Sequence, residues 1–581
     1  MKILGVHDGH LSTASLLIDG RLEAVVSEER LTRRKNQGGP PLRAIGAVLE
    51  QAGLRGSDVD VVTLAALTEP LTEWELDTRQ ARRRLMMAAS RVLPSRALAS
   101  DAVRRAYLAV YRHKRAWRAL GHALEVNGIE PTAFRGHVRE HHECHAATAY
   151  YLAPFRQADR PMLVVTMDAS GDGLCATVNR AASGRLERLH GVSSYHSLGE
   201  FYTRITELLG MRPLDHEYKV MGLAPYAPPE LGRRAYDILS TYYRLSQDDL
   251  TFQNVSGCWG PRLRDRMAHD LAGVRFDGIA AGAQRLLEEL VVRFVRAWQR
   301  RTGIGQLAVA GGVFMNVKLN MLISELPGID DLFLMPSCGD ESLGIGASLL
   351  VQADHDLAQD RAVGIEPLGQ LYLGPSFDRE AIRGALEAGG GRIAWQEIDD
   401  IEPVVAALLA EGQIVGRLSG PMEWGARSLG NRAILADPRD LRAVHRINRA
   451  IKMRDYWMPF AASMLEERAP TYLENPRGLA APYMINAFRS TPTAQVDLPC
   501  GLHPFDHTCR PQIVTRAANP SFHRLLSEFD RLTGVGALVN TSFNLHGEPI
   551  VCGPADAIHT LVDSDLDAVA LGPFLVRKAA A

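Results

Sequence analysis

The chain has 581 residues, a formal net charge of −2, 46% hydrophobic and 23% charged residues, and seven cysteines. That length gives roughly two to four domains with ample material for buried cores. The near-neutral charge argues against bulk attraction to nucleic acid, and no apolar run is long enough to span a membrane. An N-terminus that enters a strand pattern without a signal peptide's apolar core, and an odd number of irregularly spaced cysteines, point to a cytoplasmic protein with reduced thiols.

In chain order, the pattern predicts a strand over 2–6, a polar loop His7-Asp8-Gly9-His10, a strand over 15–18, a turn at Asp19-Gly20 and a strand over 21–27. Asp-Gly between two strand-like runs is a hairpin signal. Residues 79–118 are dense in Arg and Lys, with Asp101 as the one acid. Apolar residues interleave there, so the stretch reads as a helical insert. Its basic face is either simply solvated or a surface for an anionic acceptor or partner.

The segment His141-His142-Glu143-Cys144-His145 opens a predicted helix. Positions i and i+4 share a helix face, so His141 and His145 would grip one metal ion with room for further ligands. Such a pair equally fits a polar surface or a satisfied core. A strand over 162–167, a loop over 168–173 and a strand over 174–178 repeat the first hairpin. Two such hairpins suggest a duplicated α/β domain, the layout of the actin-like ATPase superfamily.

Residues 283–300 predict an amphipathic helix, with Leu287, Leu290, Val291, Phe294 and Trp298 as its core stripe. A strand over 307–310 ends in Gly311-Gly312, and one over 333–335 leads to Gly339-Asp340-Glu341 and a helix over 343–350. Residues 353–370 have no clear period and read as the linker. A new pattern starts at Leu371, with a strand over 414–418.

Glycine loops let backbone N–H groups approach phosphate, and helix N-termini favour anions. The 168–173 loop and Gly311-Gly312 with Asn316 therefore point to a nucleotide, with Asp168 or Asp172 ordering magnesium. Asp340 is the candidate carboxylate for the histidine pair, with a helix N-cap as its plainer role. Arg427, Arg432, Lys452, Arg454 and Arg510 fall among Gly, Asn and Pro and suit a small phosphorylated molecule. Asn448, Asn540 and Asn544 would orient an amide or carbonyl.

At this point a family resemblance enters. HHECHAATA (141–149), MDASGDG (167–173), EYKVMGLAPY (217–226), GGVFMNVKLN (311–320), GDESLGIGA (339–347), EWGARSLGNRAILADPR (423–439), INRAIKMRDYWMPFA (447–461) and LVNTSFNLHGEPIV (538–551) span nearly the whole chain. In this the chain resembles the O-carbamoyltransferases of natural-product biosynthesis, antibiotic biosynthesis among them.

The resemblance implies an α/β architecture: a duplicated actin-like domain over 1–360 with a helical insert near 75–125, then a YrdC-like domain over 368–581. It also implies that the extreme C-terminus packs on the first domain. Carbamoyl phosphate and ATP with Mg2+ would give carbamoyl adenylate. The carbamoyl group would then pass to a hydroxyl of a small-molecule alcohol, leaving AMP. Carried over by residue, His10 is catalytic, and His141, His145 and Asp340 are ligands of Fe2+, with zinc the alternative. Asp168, Ser170, Gly171, Asp172, Gly173, Lys219, Gly222, Gly311, Gly312 and Asn316 contact ATP. Arg427, Arg432, Asn448, Lys452, Arg454, Arg510 and Asn540 hold carbamoyl phosphate.

One departure stands out. The family's first loop reads His-Asp-x-Ser, whereas this chain has His10-Leu11-Ser12-Thr13, with Asp8 as the nearby carboxylate. No membrane or nucleic-acid partner is expected, and a homodimer is the default assembly. Rival readings are a small-molecule kinase of the actin-like fold, a tRNA-modifying threonylcarbamoyl-type transferase and a non-catalytic metal and nucleotide sensor.

Overall fold

The computed structural model describes residues 1–68, 100–111, 116–130, 134–452, 455 and 457–579. Arg454 and the stretches 79–99 and 112–115 of the basic segment lie outside the described residues. The chain forms two compact units: Met1–Glu28 with Asn36–Gly369, and Glu29–Lys35 with Gln370–Ala581.

In the first unit, β1 (Lys2–His7), β2 (Thr13–Ile18) and β3 (Arg21–Ser27) form an antiparallel meander. Strands β4 (Val61–Ala65) and β5 (Arg135–Arg139) add in parallel on the other side of β1. The order is β3-β2-β1-β4-β5. A second sheet contains β6 (Met162–Gly171), β7 (Leu174–Ala182), β8 (Arg185–Ser193), β9 (Gln306–Ala310) and β10 (Asp331–Leu334) in the order β10-β9-β6-β7-β8. Counted from its own first strand, this is the same topology again, with the parallel and antiparallel pairings repeated. The unit is a duplicated, actin-like α/β fold.

The two Asp-Gly turns explain the matching hairpins. Ile18 pairs with Arg21 across Asp19 (φ 49) and Gly20 (φ 85), and Gly171 pairs with Leu174 across Asp172 (φ 49) and Gly173 (φ 81). Both central residues at positive φ make a type I′ turn, whose twist matches the flanking strands. The expected loop over 168–173 is thus mostly strand. β6 continues, with a register irregularity, to Gly171, and Asp172-Gly173 alone turn the chain.

Three helices of the first unit matter for the site: α1 (His141–Tyr151), α2 (Phe276–Thr302) and α3 (Leu343–Ala358). The stripe on α2 is buried as the periodicity predicts, and Gly303 in the left-handed region stops the helix. Helix α3 packs on α1 and β1 at backbone distance. A Cβ on Gly346 would overlap the Cys144 carbonyl, and one on Gly344 would come within 3.1 Å of the Gly5 backbone.

Residues 353–370 are not a free linker. Helix α3 runs through Ala358, Asp356 accepts the Gly364 N–H, and Glu366 and Leu368 donate to the Gly20 and Leu152 carbonyls. The described parts of the basic segment include helices Asp101–Tyr111 and Ala116–Val126.

The second unit is built on one mixed sheet of β11 (Ile393–Glu397), β12 (Val415–Leu418), β13 (Arg432–Ala436), β14 (Ala461–Leu465), β15 (Pro511–Val514), β16 (Ala537–Ser542), β17 (Ala568–Leu571) and β18 (Phe574–Lys578). Their order is β11-β18-β17-β12-β13-β16-β14-β15. Adjacent strand residues point to opposite faces. Leu435 and Leu538 therefore join one core with Phe522 and Leu525, while Ile434 and Val539 join another with Ile382 and Leu561. The C-terminal strand β18 pairs with β11 and β17 and completes this unit's own sheet.

Candidate functional site

Helix α1 starts where its polar residues dictate. The Glu140 carboxylate accepts the Glu143 N–H at 2.8 Å, and Asp172 accepts the His141 N–H at 2.9 Å. Carboxylates at a helix N-terminus meet unpaired donors and the positive end of the dipole. Asp172 also accepts from Leu67 N (2.8 Å), Thr68 N (2.9 Å) and Thr68 Oγ1 (2.9 Å). A carboxylate has about four acceptor sites. The protein's own donors fill them, so Asp172 anchors the helix and the expectation that it orders magnesium is corrected.

With the helix fixed, His142 turns inward between Thr166 Oγ1 (2.8 Å) and the Leu174 carbonyl (3.2 Å). Burial holds its pKa well below the usual imidazole value. His141 and His145 point the other way together, their ring centroids 4.8 Å apart. Both Nε2 atoms face Asp168 Oδ2, at 3.4 and 3.2 Å, and Asp340 Oδ1, at 3.6 Å each. One donor atom from each of these four residues lies within 4.8 Å of all the others.

Each strand end and helix start contributes. Asp168 sits near the end of β6. Asp340 immediately precedes α3, which the Gly344 and Gly346 contacts hold against β1 and α1. A Cβ on Gly171 would overlap the His141 ring, so only glycine lets that ring lie on β6. Gly311, at φ 103, abuts Met167, and a Cβ on Gly312 would stand 3.1 Å from Asp168 Oδ1. The structure thus brings His141, His145, Asp168, Asp340, Gly171, Gly311 and Gly312 together. Asp168 was expected to contact the nucleotide or its magnesium, not to join the histidine pair; its neighbour Asp172 carries the same chemistry in the sequence, and only the fold separates them.

Electrostatics couples the four groups tightly. Burial opposes a proton on His141, yet Asp340 and Asp168 outweigh it and raise the pKa to about 9. His145 is raised too, against burial, by the same two carboxylates. Asp168 lies far below the carboxylate range despite burial, because both imidazoles donate to it. Two imidazoles and two carboxylates converging from three elements suit iron or zinc with positions left for a further ligand.

His10 lies half-buried in the turn between β1 and β2. That turn is tied down by Gly39 N to the Asp8 carbonyl (3.0 Å), Ser12 N to Gln37 O (2.9 Å) and His7 Nε2 to the His10 carbonyl (3.1 Å). Leu11, in the place of the family's Asp, sits at φ 60. His7 was not expected at the site. Burial lowers its pKa, and Asp340, Asp8 and His141 are its main charged neighbours. Asp8 itself is buried.

Of the other expected nucleotide contacts, Ser170 bonds Ser194 (2.8 Å), and Lys219 and Gly222 lie on the helix Glu217–Leu223. Asn316 caps the helix Val317–Ser324 and exchanges both amide bonds with Gln284, at 3.0 and 2.9 Å.

In the second unit, one expectation fails on geometry. Arg432 is fully buried and donates to the carbonyls of Cys552 (2.9 Å), Asn431 (2.9 Å), Gly420 (3.1 Å), Pro375 (3.1 Å) and Ser419 (3.3 Å). Of its five N–H groups, Nε, both on Nη1 and one of the two on Nη2 go to backbone, and its burial makes it a strut rather than an open phosphate ligand. The Lys452 ammonium, at the end of the wide turn Ile447–Lys452, meets Ser542 O and Oγ and Asn544 O and Oδ1. Arg427 and Arg510 are half-buried, and Asn448 is half-buried on the same turn as Lys452. Asn540 is buried on β16. Sequence reasoning missed Glu423 and Arg417; Glu423 is buried within the 420–431 loop, and the buried Arg417 holds that loop through Gly430 O (2.6 Å).

Comparisons with known proteins fit this picture. Residues 2–349 match the family model described as Carbamoyltransferase N-terminus, and 406–578 match Carbamoyltransferase C-terminus. Nodulation protein NolNO of Sinorhizobium fredii is 32% identical over 99% of this chain and 79% of its own length. Nodulation protein NolO of Bradyrhizobium diazoefficiens is 36% identical over 75% of this chain and 78% of its own. Among solved structures, full-length HypF in its phosphate- and nucleotide-bound form aligns with a TM-score of 0.34 at 10% identity, covering 60% of this chain and 55% of that one. Among the described residues, no helix is long and apolar enough to cross a membrane. The chain belongs to the carbamoyltransferase family and is an enzyme of that class.

Proposed function

We propose that this chain is a cytoplasmic, ATP-dependent O-carbamoyltransferase. The second, YrdC-like unit hydrolyses carbamoyl phosphate to carbamate and phosphate, and joins carbamate to ATP as carbamoyl adenylate with loss of pyrophosphate. The first unit passes the carbamoyl group to the hydroxyl of a natural-product alcohol and releases AMP. The observation that carries this reading is the four-donor cluster of His141, His145, Asp168 and Asp340, lying against the Gly311-Gly312 turn within a carbamoyltransferase chain.

Those four residues would hold a divalent ion, iron by resemblance and zinc on donor chemistry alone. Such an ion supplies Lewis acidity toward a carbonyl or phosphoryl oxygen. The rest is the work of the chain. Gly311 and Gly312 leave room for phosphate oxygens beside Asp168. His10, on its tethered turn, takes the proton from the acceptor hydroxyl; imidazole suits general-base work near neutrality. Arg427, Arg510 and Lys452 hold the anionic donor, with Asn448, Asn540 and Arg454 completing the set. The test is the product of ATP turnover. AMP and pyrophosphate appearing only with carbamoyl phosphate support the reading, and ADP sinks it.

A further inference from the structure

Among the buried oxygens of the second unit that lack a donor among the described residues, two belong to side chains that are almost wholly buried and share a neighbour. Glu423, 1% exposed, accepts through Oε1 from Leu429 N (2.6 Å), Arg432 N (3.1 Å), Asn431 N (3.2 Å) and Ser428 Oγ (3.3 Å), while its buried Oε2 has no partner. Asn540, 2% exposed, donates through Nδ2 to Ser463 Oγ (2.9 Å), the Ser428 carbonyl (3.2 Å) and Gln512 Oε1 (3.3 Å), while its buried Oδ1 has none. A carbonyl can only accept, so the Ser428 contact fixes which way the Asn540 amide faces. A buried acceptor without a donor is destabilising.

Both side chains bind Ser428, Glu423 through Oε1 to its hydroxyl and Asn540 through Nδ2 to its carbonyl. The two groups that carry the bare oxygens therefore meet at one residue, next in the chain to Arg427. On β16, Asn540 shares a face with Ser542, whose oxygens receive the Lys452 ammonium. The bare acceptors thus stand among the groups assigned to an anionic phosphate. Opposite charge on the buried Arg417 and Arg432 accounts for a carboxylate at 423. It does not account for one oxygen of that carboxylate without a donor.

We propose that Glu423 Oε2 and Asn540 Oδ1 accept the two N–H bonds of the carbamoyl amino group and so select a carbamoyl donor over an acyl one. This rests on the reading that the second unit uses carbamoyl phosphate. A planar NH2 next to a phosphate supplies what the site lacks: two donors beside an anion. Acetyl phosphate has the same shape with a methyl group there, and would leave both acceptors unpaired.

The test measures carbamoyl phosphate against acetyl phosphate as the donor for ATP-to-AMP turnover by the full chain. A site built to bond an N–H rejects an isostere lacking it by about 10^4-fold in kcat/KM, and the wild-type protein is expected to show that preference. Glu423→Gln keeps Oε1 for the loop and turns the bare acceptor into a donor. The preference should fall at least about 100-fold in this variant, through loss of carbamoyl phosphate turnover. A wild-type preference below about tenfold overturns the inference, and this needs no variant to fold. So does an equal fall with both donors in Glu423→Gln, the mark of a purely structural role. If wild-type protein makes no AMP with carbamoyl phosphate, the donor reading itself fails, and this assignment falls with it.

Discussion

Arg432 offers the sharpest test of how the second unit is built. Its guanidinium closes five backbone carbonyls from four separate segments around Pro375, the 419–420 turn, Asn431 and Cys552. Arg432→Lys keeps the charge and offers three N–H groups in place of five, so at least two buried carbonyls lose their donor. Each costs about 1–3 kcal/mol, so two give a loss of about 2–6 kcal/mol against a domain stability of roughly 5–15 kcal/mol. Urea unfolding followed by the fluorescence of the second unit's tryptophans reads this as a large drop in midpoint. Arg427→Lys and Arg510→Lys, outside that strut, should stay within about 1 kcal/mol of wild type while turnover with carbamoyl phosphate falls. An Arg432→Lys protein with wild-type midpoint and lost donor affinity would return Arg432 to the ligand-binding set and refute the reasoning.

Three further outcomes follow from the first unit. Gly171→Ala drives a methyl group into the His141 ring and should weaken metal binding about 10–100-fold, as displaced supporting groups do; unchanged affinity by calorimetry would contradict the packing argument. Asp172→Asn keeps one acceptor oxygen and loses the other, which serves two of the four donors from His141, Leu67 and Thr68, and should cost about 2–3 kcal/mol in thermal or urea melts, whether or not metal is present. The metal-free protein should be steadied by its protonated His141. Because that pKa is raised from 6.5 to about 9, the contribution is full below pH 6.5 and lost as pH rises through about 9. Binding an ion must expel this proton, so affinity should rise about tenfold per pH unit across the same window; calorimetry finding no proton release at pH 7 would contradict it.

Much of the fold was legible in the sequence because its signals are local. The two Asp-Gly pairs each force a two-residue turn, and the α2 stripe follows helical spacing. The His141/His145 pair was legible for the same reason. What stayed hidden depends on contacts distant in the chain. Asp168 and Asp172 are alike in sequence, and only the meeting of β6 with α1 makes one a ligand candidate and the other a helix anchor. Arg432 reads like its neighbour Arg427, and carbonyls from Pro375, the 419–420 turn and Cys552, together with that of Asn431, decide otherwise. Residues 353–370 lack periodicity, yet Gly20, Leu152 and Asp356 bind them to the first unit through single hydrogen bonds no pattern encodes. Glu423 opens a family stretch and His7 a polar loop, but neither pattern assigns the residue a role; that arises from the neighbours each is buried against.

The most direct test of the proposed activity follows the carbamoyl carbon. Purified protein loaded with iron is given 13C-carbamoyl phosphate, ATP and a panel of polyhydroxylated natural products. The account predicts 13C in a carbamate ester on one alcohol, with AMP and pyrophosphate formed in equal amounts to it, and loss of the ester in Asp340→Asn. Label recovered only as carbonate, or an ester formed while ATP yields ADP, would contradict it.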